Sequence, residues 1–255
     1  MPMHPHSILA LPGALGGPGP LEAVAADFLA RGLPWSVRDI LADIEDGCDG
    51  FDDMTARLVD ATRGAHKPLL FGYSMGARLA LHALCTVPGH WSGGILVSGH
   101  PGMASAGDRS GRLAEDRQWA GRVRTSRWDE LLRDWEDRPI FATGTPPAAW
   151  RADLRAAWLA DRTAIGARRA AVATALEVWS PGVQPDFRPT LAAGIPPVLW
   201  LTGGNDAKFT AIGREVAALA PTVCHREIPG CGHRLPWEAP AAVATAVAAW
   251  VRGQY

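Results

Sequence analysis

Gly72-Tyr73-Ser74-Met75-Gly76 follows the apolar run Pro68-Leu69-Leu70-Phe71 and opens the helical run Ala77 to Cys85. Strand, sharp turn and helix in that order are what a G-x-S-x-G nucleophile elbow requires. The flanking glycines let the backbone turn with no Cβ in the way and hold the Ser74 hydroxyl at a strand tip. The Met75 amide, at the helix start, then points to where a substrate oxyanion would form. The five-residue pattern is weak by itself in a chain with 28 glycines; its strand-to-helix context gives it meaning.

Outward from the elbow, short apolar runs alternate with amphipathic helical runs, the pattern of a mostly parallel α/β sheet with crossover helices. Strands are expected at Ser7 to Leu11, Trp35 to Ile40, Pro68 to Tyr73, Gly94 to Ser98, Pro197 to Thr202 and Val223 to Ile228. Helices are expected at Leu21 to Arg31, Phe51 to Arg63, Met75 to Cys85, Phe209 to Leu219 and Pro240 to Val251. From Pro101 to about Arg188 the rhythm breaks into charged, tryptophan-bearing helical sequence such as Arg112 to Arg122, Trp128 to Trp135 and Trp150 to Ala160. The expectation is a core of residues 1–100 and 189–255, with 101–188 inserted between sheet strands as a helical lid over their carboxyl ends, where open α/β sheets bind ligands.

A length of 255 residues suits one domain with an inserted subdomain, and a net charge of -1 offers no polyanion-binding face. Nucleic acid is therefore excluded as a partner. Cys48, Cys85, Cys224 and Cys231 lack C-x-x-C spacing and read as buried free thiols. Ile8-Leu9-Ala10-Leu11 has no basic flank and is broken at once by Pro12-Gly13, so it reads as a core strand, with neither a signal peptide nor a membrane span. A cytoplasmic enzyme, monomeric or a small homo-oligomer, is the expectation.

A serine needs a base and an orienting acid, in chain order Ser, Asp, His for this elbow. Asp206 ends Leu201-Thr202-Gly203-Gly204-Asn205-Asp206, just past a strand, and His233 follows Gly230-Cys231-Gly232, just past the next. The imidazole would take the Ser74 proton while Asp206 holds its tautomer. A second oxyanion donor is expected in the loop Leu11-Pro12-Gly13-Ala14-Leu15-Gly16-Gly17, with the Ala14 amide as candidate and Leu15 or Gly16 as alternatives.

The chain resembles the MenH family, 2-succinyl-6-hydroxy-2,4-cyclohexadiene-1-carboxylate synthases of menaquinone biosynthesis, which are lyases on the α/β-hydrolase fold. The resemblance is carried by Gly72-Tyr73-Ser74-Met75-Gly76-Ala77-Arg78, Gly99-His100-Pro101-Gly102-Met103, Arg112 through Asp116-Arg117-Gln118-Trp119, and Asp134-Trp135 leading to Arg138-Pro139-Ile140-Phe141. It continues through Val183-Gln184-Pro185-Asp186, Gly204-Asn205-Asp206-Ala207-Lys208-Phe209 and Gly230-Cys231-Gly232-His233. The resemblance implies a triad of Ser74, Asp206 and His233 and substrate contacts from Tyr73, Arg78, Arg112 and Trp135. A further lid arginine falls on Arg162, with Arg155 and Arg168 as alternatives. It implies no metal or organic cofactor, and a small substrate bearing several carboxylates.

That substrate class suits the residue types independently, since arginine forks pair carboxylates bidentately. Arg78 lies one helical turn after the elbow, on the same face as Ser74. Lys208, two residues after the acid, is either a ligand or a surface residue at a helix start. Three departures from the family stand out. Leu11-Pro12-Gly13 replaces the usual His-Gly pair, and Asp39-Ile40-Leu41-Ala42-Asp43 replaces a Pro-Gly-His-Gly loop. Glu136 stands where a tyrosine is expected, and an acid there would repel a polyanion unless it points away. The implied reaction is removal of pyruvate from 2-succinyl-5-enolpyruvyl-6-hydroxy-3-cyclohexene-1-carboxylate, with Ser74 as general base. The same triad would serve a serine hydrolase working through an acyl-enzyme, and a non-catalytic ligand-binding module is a third reading.

Overall fold

A computed structural model of the chain describes residues 7–65 and 68–254. Residues 1–6, 66–67 and 255 of the expected core lie outside them. Six strands, β1 (Ile8–Leu11), β2 (Trp35–Val37), β3 (Leu69–Tyr73), β4 (Gly93–Val97), β5 (Val198–Gly203) and β6 (Val223–Ile228), form one parallel sheet in the order β2-β1-β3-β4-β5-β6. The order reverses between β1 and β3, and it is beyond the carboxyl ends at such a switch point that open α/β sheets bind ligands.

Side chains on each strand alternate between two packed faces, so the central strands are buried on both sides and read as near-continuous apolar runs. Leu70, Leu96, Val198 and Trp200 pack with Leu79, Met54 and Leu58 on one face. Leu69, Phe71, Ile95, Val97, Leu199 and Leu201 pack with Val243, Val247 and Trp250 on the other. Each fully buried side chain of this size stabilises the fold by about 1.5–3 kcal/mol.

Between β4 and β5 the described residues hold no strand. Helices Ala106–Thr125, Trp128–Glu136, Ala152–Ala164, Arg169–Val178 and Arg188–Ala193 fill the interval. Helix Ala106–Thr125 packs on Arg169–Val178, which in turn packs on helix Ile40–Glu45 of the sheet layer.

Two elements differ from expectation. The second strand stops at Val37 because Asp39 caps a helix, its Oδ1 accepting from the amides of Leu41 and Ala42 at 3.1 Å each. That helix, Ile40–Glu45, buries Ile40, Leu41 and Ile44, an apolar content that reads equally well as strand. The single helix expected over Leu21 to Arg31 is two short ones, Gly19–Glu22 and Ala25–Leu29. All four cysteines are free thiols; Cys48 and Cys231 are buried, while Cys85 and Cys224 are only half-buried.

Helix Met75–Thr86 begins directly under the end of β1. A Cβ at Gly76 would overlap the backbone of Leu11 and Pro12, so only glycine permits this crossing. Gly76→Ala is expected to lower unfolding stability by about 3 kcal/mol, the upper end of overpacking costs, because backbone rather than a flexible side chain must move. Gly89→Ala, where a Cβ meets nothing within 4 Å, should stay within about 0.5 kcal/mol of the parent in the same denaturant titration.

Candidate active site

Ser74 sits between β3 and helix Met75–Thr86 at φ 52° and ψ -105°, a backbone region disfavoured for a residue with a Cβ. Its amide donates to the Val97 carbonyl at 2.9 Å, tying the strained turn to β4. The turn after β5 and the turn after β6 are pressed together in the same way: a Cβ on Gly203 would overlap the backbone of Cys231 and Gly232. The Asn205 amide bonds the Cys231 carbonyl at 2.8 Å. This packing delivers Asp206 and His233 to each other.

Asp206 caps helix Ala207–Leu219, one oxygen accepting from the Phe209 amide at 3.3 Å. Its other oxygen lies 2.8 Å from His233 Nδ1, and His233 Nε2 lies 3.1 Å from Ser74 Oγ. With a carboxylate that can only accept, the Nδ1 proton points at Asp206 and Nε2 is left to accept from the serine hydroxyl. His233 is 1% exposed and packed by the rings of Tyr73, Phe141 and Phe209. One orientation of the imidazole is therefore held by packing as well as by bonds.

The Ser74 hydroxyl opens into a cavity of about 530 Å³. Ala14 and Met75 line it together with Ser74, and so do Tyr73, Trp135 and Lys208. Arg78 and Arg112 line it too, and so does Arg138, which no sequence pattern marks as a contact. Arg138 rests over the Trp135 ring at 4.4 Å and reaches Glu115 at 3.2 Å. Its signal in the sequence is its place three residues after Trp135.

Each cation is held differently. Arg78 is buried and donates to the Trp179 carbonyl; burial, reinforced by Arg112, pulls its pKa down to about 9. Arg112 bonds Asp116 at 2.9 Å, and that carboxylate also accepts from Ser180 at 2.6 Å. Lys208 has no carboxylate partner among the described residues. His100, also lining the cavity, has its pKa lowered to about 3, first by burial and then by Arg78, Lys208, Arg188 and Arg112. Its Nδ1 accepts from the Gly102 amide at 3.1 Å, which suits the neutral ring. The buried Trp135 Nε1 has no hydrogen-bond partner, a donor the fold itself leaves unanswered.

Arg162 departs from expectation. It does not line the main cavity but a neighbouring one of about 30 Å³, shared with Arg234 and the loop after β1. The alternatives fare no better: Arg155 is exposed, and Arg168 pairs with Asp39 at 2.8 Å and Glu45 at 2.6 Å on the outer face. The reason is local: at the end of helix Ala152–Ala164, Arg162 turns toward Glu136, its Nη2 lying 3.2 Å from a carboxylate oxygen. Glu136 accepts from Arg234 with its other oxygen and is turned out of the main cavity. Its charge thus meets two arginines instead of a ligand. Among the described residues no cluster of acidic, His or Cys side chains could hold a metal ion.

Comparison with known proteins gives the family. The model of the alpha/beta hydrolase family matches residues 4–246. The 2-succinyl-6-hydroxy-2,4-cyclohexadiene-1-carboxylate synthases of Escherichia coli O1:K1 / APEC and O45:K1 (strain S88 / ExPEC) are each 37% identical over 207 residues, covering 80% of this chain and 77% of theirs. Among solved structures, MenH from S. aureus superposes with a TM-score of 0.83 at 23% identity, covering 99% of this chain and 96% of its own. A thermophilic esterase from Thermogutta terrifontis reaches 0.68 at 20% identity, with coverage of 98% and 90%. Fold likeness at such identities extends to both MenH and an esterase, so it is the sequence match that decides: this chain belongs to the alpha/beta hydrolase family and, within it, to the 2-succinyl-6-hydroxy-2,4-cyclohexadiene-1-carboxylate synthases.

Proposed function

We propose that the chain eliminates pyruvate from 2-succinyl-5-enolpyruvyl-6-hydroxy-3-cyclohexene-1-carboxylate to give 2-succinyl-6-hydroxy-2,4-cyclohexadiene-1-carboxylate, a step of menaquinone biosynthesis. The observation that carries this reading is the pairing of a Ser-His-Asp chain with a cavity lined by Arg78, Arg112, Arg138 and Lys208. A site for neutral esters would be lined mainly by apolar groups. A substrate with several carboxylates needs cations placed well away from the reacting carbon, and arginines supply them with fixed geometry.

In this mechanism His233 Nε2 takes the Ser74 proton, and the serine oxygen removes a ring proton as a general base. The electron pair moves onto the neighbouring carbonyl as an enolate, held by the Met75 and Ala14 amides. When it returns, the ring carbon–oxygen bond to the enolpyruvyl group breaks. The departing enolate takes a proton back through Ser74 and His233 and leaves as pyruvate. Tyr73 and Trp135 shape the pocket, Trp135 offering its free Nε1–H, and Arg78, Arg112 and Lys208 receive carboxylates. The helical segment 101–188 acts as a lid that keeps water from the enolate. A cytoplasmic location accords with this role, and no helix among the described residues is long and apolar enough to cross a membrane.

Ser74→Ala should fold normally and lower pyruvate release by a factor on the order of a thousand or more. Rapid quench of the parent enzyme during turnover should give protein of unmodified mass. An acyl-Ser74 adduct with a kinetic burst would instead assign the chain to the serine hydrolases, and p-nitrophenyl ester hydrolysis run beside the pyruvate assay reports the same distinction.

Arg78→Ala and Arg112→Ala should each lower kcat/KM by about 1.5–4 kcal/mol, with lysine restoring only part, because a point charge replaces a bidentate fork. Arg155→Ala, on an exposed helix face, serves as the neutral control. Equal kcat/KM for all three variants would remove the carboxylate-binding assignment while leaving the triad intact.

A further inference from the structure

The loop after β1 is gripped from one side by a single helix. The Leu15 carbonyl accepts from Arg162 Nη1, and the Gly17 amide donates to Asp161 Oδ2 at 2.8 Å. Asp161 and Arg162 are consecutive residues near the end of helix Ala152–Ala164, and each is 9% exposed. Leu15 itself sits at φ 50°, a left-handed conformation that a leucine adopts only when its surroundings impose it. Ala14 is its immediate neighbour.

The grip extends further. Glu136, at the end of helix Trp128–Glu136, accepts from Arg162 with one oxygen and from Arg234 with the other. Arg234 follows His233 directly, lies 3.8 Å over the Phe141 ring and is 7% exposed. One carboxylate therefore joins the arginine that fixes the Ala14 loop to the residue beside the histidine of the triad. Two buried guanidinium groups converge on it, and without its charge they would repel each other in a poorly solvated space.

The geometry points to Arg162, Glu136 and Arg234 as positioning residues: an ion triple that sets the Ala14 amide and His233 in register across the Ser74 hydroxyl without touching substrate. This rests on the reading of Ala14 as the second oxyanion donor. Arg162, expected from the sequence to bind a substrate carboxylate, acts instead through the Leu15 carbonyl.

A positioning role and a substrate contact separate in the kinetic constants. Glu136→Gln keeps the shape and removes the charge; Arg162→Lys keeps the charge and can reach Leu15 or Glu136 but not both. Steady-state pyruvate release is measured for each, with kcat referred to the fraction folded by circular dichroism. Both variants are expected to lose roughly tenfold to a hundredfold in kcat, toward the scale of one weakened oxyanion contact, with KM within about threefold of the parent. A rise of about tenfold or more in KM at unchanged kcat would overturn the proposal by making Arg162 a substrate ligand. Unchanged constants in both variants would overturn it as well.

Ala14→Pro, which deletes the amide, separates this from the underlying reading. Normal turnover in Ala14→Pro removes the Ala14 donor and the positioning role with it. Loss of turnover in Ala14→Pro beside a fully active Glu136→Gln refutes only the ion triple. If the triple acts through the loop, Glu136→Gln added to Ala14→Pro should cost much less than it does alone; full additivity would count against it.

Discussion

Backbone meets backbone where helix Met75–Thr86 starts beneath the last residue of β1, and the site depends on that approach. Gly76 leaves no room for a side chain against Leu11 and Pro12. The contact fixes how far the loop after β1, with Ala14, stands from the helix start at Met75. A second close approach, Gly203 against Cys231 and Gly232, does the same for the acid and the histidine. The two junctions put residues 14, 74, 206 and 233, widely separated in sequence, at the carboxyl ends of neighbouring strands. The turn at Ser74 costs strain of order 1–3 kcal/mol, sustained by two cores on either face of the sheet that leave the strand ends no freedom to relax.

The cavity above is electrostatically unfinished. Arg78 is buried against a neutral carbonyl, His100 is kept uncharged by burial and its cationic neighbours, and Arg138 has its pKa lowered chiefly by burial. Buried positive charge without full compensation disfavours its own ionised form. An anionic ligand would reverse that tendency at several groups together. The carboxylates present are committed elsewhere, Asp116 to Arg112 and Ser180, and Glu115 to Arg138.

The sequence makes the sheet and triad legible because both depend on local signals. Apolar runs between helices mark parallel strands, and glycine-rich turns before Ser74 and His233 mark chain reversals at strand ends. The short helix Ile40–Glu45 was hidden because Ile40 and Leu41 continue an apolar run, and only the Asp39 side chain, bonded to the following amides, breaks it. Arg162 lies outside the main cavity for a reason the sequence does not carry. A helix position fixes which residues share a face, but the aim of a long side chain depends on a partner such as Glu136, 26 positions away. Nothing in the spacing of Arg138 separates a cavity arginine from a solvated one; only its seat over Trp135 does.

The ion triple also has a consequence for how such a chain can change over time. Residues 136, 162 and 234 lie on three separate segments, yet one carboxylate bonds two buried guanidinium groups there. Losing Glu136 leaves two buried guanidinium groups without their shared counter-charge, which is far more costly than losing either arginine, since the remaining Arg–Glu pair stays compensated. The constraint therefore falls hardest on position 136. A neutral aromatic residue at 136, which the family resemblance leads one to expect beside a lid arginine, would leave that arginine without this counter-charge and open to an anion from outside the chain.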